Sequence, residues 1–103
     1  MRIASKMKLR KGFESEYQKR HDELWPELKR LLKETGISDY SIFLDEETNV
    51  LFAYFTIEGS EKLTDLPEKE VMKKWWNYMQ DIMETNEDNS PVSLPLKEVF
   101  YLP

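Results

Sequence analysis

An α+β fold is predicted by three features of this 103-residue sequence: a period-two run at the N-terminus, two segments whose apolar residues recur every three and four positions, and short β-rich runs between and after them. In the first run, Ile3, Ser5, Met7 and Leu9 share one face and Arg2, Ala4, Lys6 and Lys8 the other, which predicts strand one. After Gly12 the spacing of Phe13, Tyr17, Leu24, Leu28, Leu31 and Leu32 predicts an amphipathic helix closed by Gly36. Pro26 removes a backbone donor inside it, so a kink or break is expected at Leu24 and Trp25, with a restart at WPELKRLLKE.

Tyr40 to Asp45 and Val50 to Glu58 are β-rich and flank EETN, which predicts a hairpin of strands two and three. Ser60 is suited to cap a short first turn, and Pro67 is expected to open a second helix carrying Val71, Met72, Trp75, Trp76, Met79, Ile82 and Met83. TNEDNSP reads as a polar loop and LKEVFYLP as the last strand. The resulting order βαββαβ is the ferredoxin-like plan, an antiparallel sheet with both helices on one face. Phe52 and Tyr54 stand opposite Leu51, Ala53, Phe55 and Ile57 in strand three, so both sheet faces carry apolar side chains. Burial of the helix-free face against a second copy is expected.

The length suits one domain over residues 1–103. Twenty acidic against fifteen basic residues give a net charge of −5, which works against phosphate backbones and anionic lipid, so neither nucleic acid nor a membrane is an expected partner. There is no cysteine, hence no disulfide framework and no thiolate nucleophile or ligand. MRIASKMKLRKG alternates apolar and basic residues instead of forming a secretion signal, and a soluble cytoplasmic protein is expected.

His21 is the one histidine, four residues after Tyr17 on the core-facing stripe. Its side-chain type both takes and gives a proton near neutral pH, although a packed helical histidine fits the same pattern. Tyr17 presents a phenol one turn earlier, where simple packing is the plainer reading. In KKWWNYMQDIM, Trp75 and Trp76 are about 100° apart on a helix, so one fills the core while the other walls a cavity. An indole face packs on pyranose C–H groups while its N–H donates a hydrogen bond. Tyr40 is a sheet aromatic with a polar tip. Asn86, Asp88, Asn89 and Ser90 are more often turn residues than a site, and Asp88 has no partner at metal-ligand spacing. No phosphate-cradling glycine motif and no nucleophile elbow is present.

Four segments together, EYQKRHDELWPELK, YSIFLD, KKWWNYMQDIM and DNSPVSLPLKEVFYLP, resemble the L-rhamnose mutarotase family nearly end to end. RHxxxWPEL and WWxYMxD at their proper separation, followed by DNSPV and EVFYLP, make the combination specific. The resemblance implies a homodimer of the dimeric α/β-barrel type that binds L-rhamnose and uses neither metal nor organic cofactor. It places the proton donor at His21 and the sugar contacts at Tyr17, Tyr40, Trp75 and Trp76. Two other readings suit a small protein of this plan: a cofactor-free or haem-degrading monooxygenase, and a metabolite-binding domain without catalysis.

Overall fold

The computed structural model describes residues 1–59 and 61–103, so the expected cap at Ser60 lies outside the described residues. The fold is α+β. Strand β1 (Arg2–Lys8) leads into helices α1 (Glu14–Asp22) and α2 (Pro26–Glu34), then the hairpin β2 (Ile37–Asp45) and β3 (Val50–Ile57). A 3-10 segment (Glu61–Glu68), helix α3 (Glu70–Met79) and the two-residue strand β4 (Leu94–Pro95) complete it.

The four strands form one sheet in the order β2-β3-β1-β4, antiparallel throughout. The β1–β3 register, with Met7 opposite Leu51 and Ser5 opposite Ala53, confirms the alternation expected at the N-terminus. Leu9, Leu51, Met7, Ile42 and Leu44 face the helices, where Tyr17, Leu28, Met72, Trp75 and Met79 meet them in one core. The other face carries Lys6, Phe43 and Phe52 in adjacent register positions, and Phe43 is 66% exposed.

The expected break before Pro26 is present. Trp25 is extended (φ −60°, ψ 131°), as the residue before proline prefers, and Pro26 takes the first helical position, where its missing N–H needs no partner. Gly36 ends α2 with a positive φ of 96°, its N–H donating to the Lys33 carbonyl at 3.0 Å.

Three expectations in the second half of the chain need correction. Pro67 does not open a helix: it lies inside the 3-10 segment, and α3 begins at Glu70 after Lys69 turns the backbone extended (φ −75°, ψ 136°). The helix also stops at Met79, while Ile82 and Met83 are buried from the turn that follows. LKEVFYLP is not the last strand. Only Leu94 and Pro95 pair with β1, and Pro95 brings no N–H to extend the ladder. The tail is held instead by the Leu96 N–H on the Ala4 carbonyl (2.9 Å), an Arg2–Glu98 ion pair (2.7 Å) and Arg2 over the Tyr101 ring (3.5 Å).

Strand β2 starts at Ile37, three residues before the expected Tyr40, because it contains a bulge. Ser38 pairs with Thr56 and Ser41 with Tyr54, so Asp39 and Tyr40 together oppose Phe55, and Asp39 takes a positive φ of 52°. The extra residue puts Ile37 and Tyr40 on the same face, although three positions apart in a regular strand they would point oppositely.

Candidate active site

Between the helices and their face of the sheet lies a cavity of about 680 Å3, large enough for a small ligand. Adjoining it and sharing much of its lining, a recess of about 80 Å3 is bordered by all five residues singled out in the sequence: Tyr17, His21, Tyr40, Trp75 and Trp76. Each reaches it from a different local cause. Tyr17 and His21 are one turn apart on α1, and their rings stack at 4.3 Å. Trp75 and Trp76 come from α3: Trp75 is buried in the core with its edge on the His21 ring (5.4 Å between centroids), while Trp76 is half-buried on the wall. Tyr40 arrives through the β2 bulge and packs on Phe55 at 5.2 Å.

The hydrogen bonding of His21 defines its free nitrogen. Its Nδ1 is 3.0 Å from the Tyr17 carbonyl oxygen, which only accepts, so Nδ1 carries the hydrogen and Nε2 is the position left for a ligand. Burial lowers the His21 pKa below its ordinary value, the carbonyl contact only partly opposing it, so the ring is neutral at pH 7 and Nε2 is unprotonated. Burial also pushes the Tyr17 phenol well above its ordinary range, and the nearby Tyr40 phenol adds to the shift. Tyr40 is raised by its own burial. Both phenols therefore stay protonated and serve as hydroxyl donors and acceptors, not as resting bases.

The remaining wall is apolar, with Met7, Ile42, Met72, Met79 and Met83, except where Thr85 and Asn89 enter from the loop after α3. That loop is closed on itself. Asn86 bonds Ser90 and the Pro91 carbonyl, Asp88 accepts from the Ser90 N–H and hydroxyl, and Asn89 (φ 69°) donates to Asn77 Oδ1 at 2.8 Å. The Ser90 hydrogen bonds hold the exposed Asp88 carboxyl below its ordinary range. The polar cluster is thus mainly a turn, as expected, yet Asn89 and Ser90 reach the cavity from it. Sequence reasoning also passed over Trp25 and Tyr78, whose rings stack at 5.5 Å; Trp25 meets Trp75 edge-on at 5.0 Å. Their signal lay in the W of RHxxxWPEL and the Y of WWxYMxD. Among the described residues, no three His, Cys, Asp or Glu side chains are grouped to hold a metal ion, and no helix is long and apolar enough to cross a membrane.

Residues 2–102 match the family model described as L-rhamnose mutarotase. An L-rhamnose mutarotase of Formosa agariphila is 59% identical over 101 residues, covering 98% of this chain and 97% of its own. One of Bacteroides thetaiotaomicron is 57% identical with the same coverage. The crystal structure of an L-rhamnose mutarotase from Formosa agariphila superposes with a TM-score of 0.94 at 58% identity, covering 100% of this chain and 99% of that one.

Proposed function

We infer the reaction and its machinery from one premise: the chain belongs to the L-rhamnose mutarotase family. It is an isomerase that interconverts the α and β anomers of L-rhamnose. The observation that carries the proposed site is the meeting of the chain's one histidine with two phenols and two indoles in a single recess.

Mutarotation moves protons and nothing else. The anomeric hydroxyl loses one, the ring oxygen gains one, the C1–O5 bond breaks, and the ring recloses after rotation about C1–C2. No electron or group is transferred, so the reaction calls for no redox or group-carrying cofactor. His21 is the proposed proton-handling residue. It delivers the proton to the ring oxygen as general acid and recovers it on closure. Because its ring is neutral at rest, it first acquires that proton, and the anomeric hydroxyl is the nearest source: both oxygens are bonded to C1, within reach of one Nε2. Tyr17, or a water beside it, relays the proton where the anomeric oxygen swings away. Tyr40 and the indole N–H groups hold sugar hydroxyls, and the flat face of Trp76 packs against the ring C–H groups.

The same proposal identifies the sheet order as the ferredoxin-like plan and its helix-free face as the seat of a second copy, giving a dimeric α/β barrel. Phe43 and Phe52, side by side on that face at 66% and 38% exposure, support this, as does an apolar tail in which Val99, Phe100 and Leu102 are 78–87% exposed. A cytoplasmic location belongs to the proposal, and cell fractionation tests it.

The direct test is proton exchange spectroscopy on equilibrated L-rhamnose. Magnetisation should pass between the two anomeric signals with the native enzyme and stop with His21→Ala. Persistence of exchange in the variant would remove His21 from the chemistry.

A further inference from the structure

RHxxxWPEL and WWxYMxD contain residues to which the proposed chemistry gives no part, namely Arg20 and Trp25 in the first and Tyr78 and Asp81 in the second. In the fold these four form one contacting group, hydrogen-bonded through Arg20 and stacked between Tyr78 and Trp25. The Arg20 Nη1 donates to the Tyr78 carbonyl at 2.7 Å and to Asp81 Oδ1 at 3.0 Å, Nη2 donates to Asp81 Oδ2 at 3.3 Å, and Nε donates to Glu16 at 2.7 Å. The guanidinium also lies 4.4 Å over the Tyr78 ring. Its side chain is only 11% exposed, yet it is absent from the lining of the cavity.

From Tyr78 the contacts run ring to ring, through Trp25 (5.5 Å) and Trp75 (5.0 Å) to His21 (5.4 Å), which follows Arg20 in the chain. The circuit is closed, and α1 needs it. That helix buries a single residue, Tyr17, while Phe13 just before it is 39% exposed, so apolar packing alone leaves its rotation about its own axis weakly determined. A bidentate guanidinium–carboxylate pair adds the missing angular constraint, because its two parallel bonds have one geometry.

We propose that Arg20 is a positioning residue for this reaction: by locking α1 to the end of α3 through Tyr78 and Asp81, it sets the His21 ring against Trp75 without touching the sugar. This rests on His21 being the proton-handling group.

The test compares Arg20→Lys, Asp81→Asn and His21→Phe with the native enzyme, reading kcat and KM by anomer exchange, the His21 imidazole proton signals by NMR, and the melting temperature. A single histidine makes those signals unambiguous. Lysine keeps the charge and loses the fork, and Asp81→Asn keeps the shape on an exposed partner, so the second variant remains informative if the first does not fold. Misplacement of a catalytic group by about 1 Å costs on the order of 10²-fold. A smaller tilt in Arg20→Lys should lower kcat by roughly tenfold, with KM within about twofold and the His21 signals displaced. Unchanged kcat and His21 signals overturn the proposal even if the melting temperature falls, as does a raised KM at native kcat, or lost kcat with His21 signals in place. Should His21→Phe itself keep native activity, it is the underlying assignment of His21 that fails.

Discussion

Replacing His21 by Phe is the sharpest single perturbation of the proposed mechanism, because it deletes both nitrogens and preserves the ring. Phenylalanine keeps the stack on Tyr17 and the edge contact with Trp75, so the recess holds its shape. What is lost is Nε2, and with it the group that delivers a proton to the ring oxygen. General acid–base catalysis of this kind contributes about 10²–10⁴ in rate, equivalent to about 2.7–5.5 kcal/mol of transition-state stabilisation. KM should move little, since Tyr17, Tyr40 and both indoles stay. The fold also loses the Nδ1 bond to the Tyr17 carbonyl, a net contribution of about 0.5–1.5 kcal/mol, partly offset by an apolar ring in a half-buried site. Exchange NMR at several sugar concentrations gives kcat and KM, and urea unfolding gives the stability change. The native pH profile supplies a second arm. A depressed His21 pKa leaves the working neutral ring in place through pH 7 and above, so kcat/KM should be flat there and decline as pH falls below 6.5 through the lowered value. Stability should follow the same sign: in that window the unfolded chain binds a proton that the folded one refuses, so the native protein loses stability on acidification and His21→Phe loses less. A variant with more than about a tenth of native kcat lies outside the range expected for a lost general acid. Such a result would refute the reasoning, and a profile that falls with rising pH between 6 and 8 would make the imidazolium the resting catalyst.

Trp76→Ala removes one wall of the recess and should raise KM roughly five- to thirtyfold, from about 1–2 kcal/mol of lost apolar contact, with kcat near native; unchanged KM would place the residue outside the sugar site. Leu28→Ala, at a side chain 1% exposed, should destabilise by about 2–5 kcal/mol in urea unfolding without changing KM. Gly36→Ala forces a Cβ onto a backbone with φ +96° and to within 3.3 Å of the Glu58 carbonyl oxygen, and should lower stability by about 1–2 kcal/mol. Phe43→Glu puts a charge on the proposed dimer face, and sedimentation should show monomer where the native protein sediments as a dimer; an unaltered dimer would move the interface elsewhere.

What is legible in the sequence follows from periodicity and from strong local chemistry. Alternation in β1, the proline break before α2 and the glycine at its end are set by neighbouring residues, and all three are found in the fold. The apolar positions from Val71 to Met79 are legible for the same reason, including that one tryptophan of the pair enters the core, while the fold decides that it is Trp75. What escapes depends on partners distant in sequence. The length of β4 is decided by what β1 can pair with and by Pro95, and the start of β2 by a bulge that forms only against Phe55. Arg20 reads in the sequence as one more solvated charge, because Tyr78 and Asp81 stand 58 and 61 positions away. The shared helical face of His21 and Tyr17 is plain from their spacing, but the tautomer of the imidazole depends on a carbonyl contact that only the fold reveals.

The β2 bulge has a consequence for how this cavity changes over generations. Strand β2 lies at one end of the sheet order, so an insertion or deletion there is absorbed without disturbing the β3–β1 register. Removing Asp39 restores regular pleating against Phe55 and leaves Ile37 and Tyr40 two positions apart, so both keep the helix side. The bulge therefore lets the strand take a one-codon change in length without turning the Tyr40 phenol out of the cavity, as a one-residue slip in a regular strand would.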